Sequence, residues 1–147
     1  MSIVAYETNI GWDMTFPSIV DLTSNQFYFS VLQTDGNLYV NSVAGGPCIG
    51  VITAPAVGSV AQPQANSVRL GGACKIVCGG SFNPGNLLAS DSSGRAVAYT
   101  GATVFTGTPY QVSGSVVLGT ALAAGAINDY STINFNPSGL VPVGLTG

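Results

Sequence analysis

Charged residues are almost absent from this chain, and this feature most limits what it can fold into. Lys, Arg, Asp and Glu make up 6% of the 147 residues, against about 25% in an ordinary soluble domain. The only Glu is Glu7 and the only Lys is Lys75. Surface helices normally carry charged and polar residues on their solvent face, so we expect no long surface helix.

Strand-forming residues take the place of helix formers. Val, Ile and Thr number 17, 8 and 12, and their branched side chains favour the pleated surface of a sheet. Residues 27–32 alternate as a strand does, and Asp35-Gly36 then predicts a hairpin into residues 38–40. Further strands are predicted at residues 49–53, 67–70, 73–78, 87–89, 96–99, 116–122 and 131–135. The sequence therefore predicts an all-β fold, a small sandwich or barrel of about eight to ten short strands.

The two halves of the sequence resemble each other weakly. Residues 32–40 followed by 48–54 match residues 88–98 followed by 117–123, if loop insertions are allowed. Each copy is a hairpin followed by a strand with one internal glycine, Gly50 or Gly119. We predict two repeated hairpin-plus-strand units; chance similarity of turn residues is the alternative.

The two ends differ from the middle of the chain, which we take as a β domain of residues 25–135. Residues 1–24 are predicted to be an N-terminal arm or a segment that covers a sheet edge, and residues 136–147 an extended tail. An arm or tail that reaches a neighbouring subunit would do so through aromatic and apolar side chains. The predicted interface residues are Tyr6, Trp12, Phe16, Leu140 and Val143.

The residues needed for catalysis are scarce. Histidine is missing, which removes the usual general base and the commonest metal ligand. The six carboxylates are scattered, and Asp35 and Asp91 occupy turn positions. Cys48, Cys74 and Cys78 are predicted to be buried, reduced thiols, because a disulfide from Cys74 to Cys78 would have to span about 13 Å along a strand. We therefore expect no enzyme, no cofactor and no metal site.

Charge and hydropathy also argue against two classes of partner. Arg69, Lys75 and Arg95 are the only basic residues, so the electrostatic term that dominates nucleic-acid affinity is small. The most apolar stretch, residues 116–127, is broken by glycines and falls short of the ~20 residues of a membrane span. With a net charge of −3, copies of the chain repel each other weakly, and we expect it to associate with other protein subunits.

A series of motifs between residues 25 and 135 resembles the capsid cement, or head decoration, proteins of tailed bacteriophages. The resemblance depends on the order of the motifs more than on any one of them. The motifs are Gln26-Phe27-Tyr28-Phe29, Ile49-Gly50-Val51-Ile52, Ala54-Pro55-Ala56-Val57-Gly58, the glycine-terminated stretch 72–80, the stretch 84–97, and Val117-Leu118-Gly119-Thr120-Ala121-Leu122.

This resemblance implies a particular role. Such proteins bind the outside of an assembled head, commonly as homotrimers, and stabilise it by bridging subunits of the major capsid protein. We accordingly expect synthesis in the host cytoplasm and a final location on the outer surface of the virion. The alternative is an exposed virion β module that binds carbohydrate or a host surface, with Tyr99, Phe105 and Tyr110 as candidate contacts.

Overall fold

The computed structural model describes residues 11–104, 112–114 and 116–140. Within these residues the chain forms eleven β-strands and one short 3₁₀ helix, Thr23–Asn25. The described residues contain no helix that is long and apolar enough to cross a bilayer. The strands are β1 (Gly11–Ser18), β2 (Phe29–Leu32), β3 (Leu38–Val40), β4 (Gly50–Ala54), β5 (Gln64–Val77), β6 (Leu87–Ser90), β7 (Ala96–Ala98), β8 (Ala102–Val104), β9 (Val112–Gly114), β10 (Val116–Ala121) and β11 (Tyr130–Leu140).

Nine of these strands form one antiparallel sheet that curls into a half-barrel, which confirms the all-β prediction. Its order is β3-β2-β4-β5-β11-β10-β6-β7, with β1 added to β5. Strands β8 and β9 form a separate hairpin. The order is a palindrome: the hairpin β2–β3 followed by β4 and β5 mirrors the hairpin β6–β7 followed by β10 and β11. The sheet is therefore built from the two repeated units predicted above.

The two hairpin turns have the same hydrogen bonds. In the first, the Gly36 N–H donates to Gln33 O at 2.9 Å and the Gln33 N–H to Asn37 O at 3.1 Å. In the second, the Gly94 N–H donates to Asp91 O at 3.2 Å and the Asp91 N–H to Arg95 O at 2.8 Å. The glycine has a φ of +82° in one turn and +83° in the other. Both are three-residue hairpins that end in a left-handed glycine.

The internal glycine of each unit also has the same role. Gly50 in β4 and Gly119 in β10 each lie against the backbone of the next strand. A Cβ atom would overlap the carbonyl oxygen of Arg69 in the first case and of Asn134 in the second. Since backbone cannot move aside as a side-chain tip can, the close approach of these strands requires glycine at both positions.

The two ends of the sheet meet, although their strands β3 and β7 do not pair. The second turn inserts Gly94 against β2 and the end of β3, where its carbonyl accepts a hydrogen bond from the Phe29 N–H at 2.7 Å. Beside it, the buried Asn41 amide donates to Ser90 Oγ at 2.7 Å. Gly94 is buried, whereas its counterpart Gly36 is exposed. The repeat is thus asymmetric: one turn closes the half-barrel and the other faces solvent.

Two clusters of buried side chains result from the curl. The larger is shared by both units, and within it the rings of Phe29 and Phe135 lie 6.1 Å apart. The smaller, Leu22, Leu38, Ile52 and Val68, belongs to the first unit alone. Adjacent residues Val51 and Ile52 point into different clusters, so β4 is buried on both faces.

Several boundaries differ from those predicted. Residues 67–70 and 73–78 were expected to be two strands, but β5 runs unbroken through Gly71 and Gly72 because β1 pairs with its first part and β11 with its second. Residue 27 does not belong to the strand that starts at Phe29; it has a φ of 65°. Within the predicted arm or edge-covering segment, residues 11–18 pair with the chain's own sheet as β1, and within the predicted tail β11 runs on to Leu140.

The three cysteines are free and buried, as predicted. Burial raises the pKa of the Cys48 thiol to about 12 and that of Cys74 to about 11, because the thiolate would lose its hydration there. The predicted turn roles of Asp35 and Asp91 are also confirmed, since each carboxylate accepts N–H bonds from its own turn. These groups therefore stabilise the fold.

Candidate functional site

The five predicted interface residues lie in different parts of the chain, and two of them lie outside the described residues. Tyr6 and Val143 lie outside the described residues. Trp12 in β1 pairs with Gly71, and Leu140 in β11 pairs with Val116. Phe16 is half-buried and packs against the smaller core cluster of its own chain. The structure does not bring these five residues together within the part it describes.

Polar contacts hold β1 on the sheet. Arg69 Nε lies 2.5 Å from Asp13 Oδ1, and Asn66 Nδ2 donates to Phe16 O at 3.3 Å. The buried Asn66 also accepts the Ala56 N–H at 2.7 Å, so one side chain joins β1 to the loop after β4. Residues 13–18 are thus part of the domain.

Exposed apolar side chains occur at one end of the sheet, in two loops that touch. Val20 follows β1, while Val57 and Val60 lie between β4 and β5; their exposed fractions are 38%, 65% and 81%. A bridge between Asp21 and Val57 and a hydrogen bond from the Leu22 N–H to Ala56 O connect the loops. We call Val20, Val57 and Val60 the valine rim. Other exposed large apolar residues include Met14, Leu32, Val43, Leu87, Leu122, Ile127 and Tyr130.

A cavity of about 330 Å³ opens elsewhere on the surface, where the segment before β2 meets the segment before β11. We call it the tyrosine groove, since Tyr28 and Tyr130 lie on its walls. Its lining residues are Thr23, Ser24, Gln26, Tyr28, Val77, Asn128 and Tyr130. No charged side chain is among these described lining residues.

Backbone geometry shapes both walls of the tyrosine groove. Phe27 and Asn128 have φ values of 65° and 64°, and no other non-glycine residue in the described ranges has a positive φ. Asn tolerates this conformation, whereas for Phe it is a real outlier. The Phe27 backbone is held there because its N–H donates to Ile52 O at 2.6 Å and its carbonyl accepts from the Val77 N–H at 2.9 Å.

Aromatic and cationic contacts fix the rim of the groove. The Phe27 and Tyr130 rings meet edge to face at 5.9 Å, and Lys75 Nζ lies 5.8 Å and 6.0 Å from their centroids. Such contacts contribute about 0.5–1 kcal/mol at exposed sites. The other two cations are paired, Arg69 with Asp13 and Arg95 with Asp91 at 2.9 Å. The groove residue Thr23 donates hydrogen bonds from its hydroxyl and its N–H to the Asp21 carboxylate. These two bonds lower the pKa of the Asp21 carboxyl.

Sequence reasoning did not find this groove. The residues proposed for a carbohydrate-binding role were different: Phe105 and Tyr110 lie outside the described residues, and Tyr99 is half-buried with its N–H bonded to Leu87 O. The available signal was the pair of tyrosines beside Gln26 and Asn128, but they are about one hundred residues apart in sequence. The β5–β11 pairing and the hydrogen bond from the Val77 N–H to Phe27 O bring them together. Among the described residues, no cluster of Cys, Asp or Glu could hold a metal.

Comparisons with known proteins give a likeness of fold. No protein-family model matches the sequence, and no curated protein matches it. Among solved structures, the N base of the head fiber gp8.5 of bacteriophage phi29 has a TM-score of 0.59 at 15% identity. The match covers 88% of this chain and 98% of that one. That solved structure is a phage head fiber protein, so the likeness shows a shared fold and does not show the cement family. This chain shares its fold with the base of a bacteriophage head fiber.

Proposed function

We propose that this chain is a structural protein of a bacteriophage virion that attaches to the outside of the head. The observation that carries the proposal is the fold shared with the phi29 head fiber base over nearly the whole of both chains. Fold alone does not determine function, but the surface supports the same role: 6% charged residues and exposed apolar side chains favour contact with other protein surfaces.

The finer proposal is that it acts as a cement protein that bridges subunits of the major capsid protein, as a homotrimer. A protein that binds the assembled shell and not its separated subunits stabilises the shell by mass action. A trimer engages several capsid subunits at once, so contacts of about 800 Å² per partner that are weak singly become tight together. The role is binding without catalysis, which fits a chain with no histidine.

The valine rim is the capsid contact that this proposal favours among the described surfaces. Val57 and Val60 are 65% and 81% exposed, and burying a valine side chain contributes about 1.5 kcal/mol. Each serine substitution there should weaken a single contact by about tenfold. Val43, which is 62% exposed in another loop, is a matched control of the same residue type and similar exposure.

The test is co-sedimentation of the purified chain with empty heads, after its mass in solution has been measured. We expect a trimer that pellets with heads, a V57S/V60S double variant that pellets much less, and a V43S variant that pellets normally. A strict monomer that stays in the supernatant contradicts the cement role. If V43S and the double variant bind equally, the valine rim is wrong while capsid attachment stands.

The terminal segments need a separate experiment. An arm that carries Tyr6 and Trp12 would be tested by deleting residues 2–16, but that deletion also removes most of β1 and breaks the Asp13–Arg69 ion pair. Deleting residues 2–10 leaves β1 in place. Undiminished head binding by this shorter deletion contradicts a role for Tyr6; the V143S variant tests the tail in the same assay.

A further inference from the structure

The tyrosine groove presents hydrogen-bonding groups that the protein holds in place but does not fully use. Gln26 Nε2 donates to Thr53 O at 2.9 Å, which fixes the amide and leaves its Oε1 facing away from that bond. Asn128 Oδ1 accepts from Arg95 at 2.9 Å, which leaves its Nδ2 as a donor. One oriented acceptor and one oriented donor are thereby available, together with the two tyrosine hydroxyls.

The charge of the site limits the class of ligand. The described lining residues are uncharged. The nearest cations are already engaged: Arg95 with Asp91 and Asn128, and Lys75 over the Phe27 and Tyr130 rings. A ligand with a full charge would lose hydration here and would find no oppositely charged side chain among the described lining residues. The site therefore suits a neutral molecule.

The aromatic and amide side chains of the groove narrow the class of ligand further. Aromatic rings have an electron-rich face that attracts weakly positive C–H groups, and Tyr28 and Tyr130 supply two such rings. Hydroxyl groups both donate and accept, so they match the amide acceptor of Gln26 and the amide donor of Asn128. A cavity of about 330 Å³ is at the small end of ligand sites. A sugar ring has an apolar C–H face, a rim of hydroxyls and the right size.

The strained backbone gives the site a fixed shape. Positive φ at Phe27 and Asn128 costs free energy, and such residues persist where surrounding bonds enforce them. Here the bonds to Ile52, Val77 and Cys78 do so. The backbone next to Tyr28 and Tyr130 is therefore fixed before any ligand arrives, which reduces the entropy cost of binding.

From these observations we propose that the tyrosine groove binds a single ring of a neutral saccharide, stacked on the tyrosines and hydrogen-bonded to the Gln26 and Asn128 amides. The binding is expected to be in the millimolar range for a monosaccharide, because so small a ligand has few atoms in contact. This inference is independent of capsid attachment, since the groove and the valine rim contain no residue in common.

The test is a titration of ¹⁵N-labelled full-length protein, followed by amide chemical shifts. The probes are glucose, galactose, mannose, N-acetylglucosamine and, as an anionic comparison, sialic acid, each to about 100 mM, well above a millimolar Kd. We expect at least one neutral sugar to shift the amides of residues 26–28 and 128–130 in a saturable way. The proposal is overturned if no neutral sugar does so, or if sialic acid binds there more tightly than every neutral sugar.

Variants separate a binding role from a structural one. Tyr28→Phe keeps the ring and removes only the hydroxyl, so the affinity should fall about fivefold, as for one hydrogen bond. Asn128→Gly keeps the positive φ and removes the amide, and Tyr130→Ala removes one stacking face; each should weaken binding at least as much. Val43→Ser is the control and should bind normally. Equal binding by all four folded variants, with unfolding temperatures near that of the native chain, overturns the proposal.

Discussion

The contact that closes the half-barrel can be tested by comparing two glycines that differ only in their surroundings. Gly36 and Gly94 end equivalent turns with φ values of +82° and +83°. Alanine at either position pays the same backbone cost, about 1 kcal/mol. A Cβ at Gly36 meets nothing within 4 Å, whereas at Gly94 it lies 2.6 Å from Val40 Cγ1 and 3.0 Å from Phe29 O.

The extra cost at Gly94 follows from those distances. Carbon atoms rest about 3.5–4.0 Å apart, so the new methyl overlaps Val40 by roughly 1 Å, and overpacking of this kind costs about 1–3 kcal/mol. Relief by moving the turn would also stretch the hydrogen bond from Phe29, a further loss of about 1 kcal/mol. Gly36→Ala should therefore destabilise by about 1 kcal/mol and Gly94→Ala by about 3 kcal/mol.

The assay is urea unfolding of both variants, with the slope of free energy against denaturant checked for constancy. Gly85→Ala is a second control, because its φ is +87° and a Cβ there also meets nothing within 4 Å. If Gly94→Ala costs the same as the two controls to within about 0.5 kcal/mol, the second turn does not close the sheet and the asymmetry of the repeat is wrong.

Three further predictions concern the sheet and its buried groups. Gly119→Ala should lower the free energy of unfolding in urea by about 3 kcal/mol or more, because the added Cβ overlaps the carbonyl oxygen of Asn134. Gly80→Ala is the control: its nearest contact would be 3.7 Å away, so it should change the free energy of unfolding by less than about 0.5 kcal/mol. Ser90→Ala removes the acceptor of a buried amide and should lower the free energy of unfolding by about 1–3 kcal/mol, seen as a reduced Tm; an unchanged Tm contradicts this. Burial raises the thiol pKa to about 12 for Cys48 and about 11 for Cys74, against an ordinary 9.0. The stability that these thiols contribute should therefore be fully present below about pH 9 and fall as the pH rises from there through the folded-state pKa values, because in that range the thiols ionise only in the unfolded chain. A Cys48→Ala variant whose stability falls as steeply between pH 9 and 11 as that of the native chain refutes a contribution from Cys48.

The fold was largely predictable because it depends on local signals. The alternation in residues 27–32, the Asp-Gly turn and the single glycines of two strands are visible in short windows, and their recurrence revealed the repeat. Residues 11–18 were not predicted as a strand because their pattern is irregular: Asp13 pairs with Arg69 across the sheet and Phe16 packs inward. Arg69 is more than fifty residues from Asp13 in sequence.

The tyrosine groove could not be predicted for a related reason. Residue 27 was expected to begin the strand, because residues 27–32 alternate as a strand does. It does so here because two backbone bonds, to Ile52 and Val77, are made by strands distant in sequence. Only tertiary structure shows that the chain bends at Phe27 and that Tyr28 lines the same groove as Asn128 and Tyr130.

The central claim, attachment to the outside of a phage head, is tested most directly by imaging. Empty heads would be mixed with excess purified chain and reconstructed by cryo-electron microscopy, with untreated heads subtracted. The account predicts added density on the outer surface, at regular positions between capsid subunits, into which the curled sheet fits. Heads that carry no added density on their outer surface at saturating protein would contradict it.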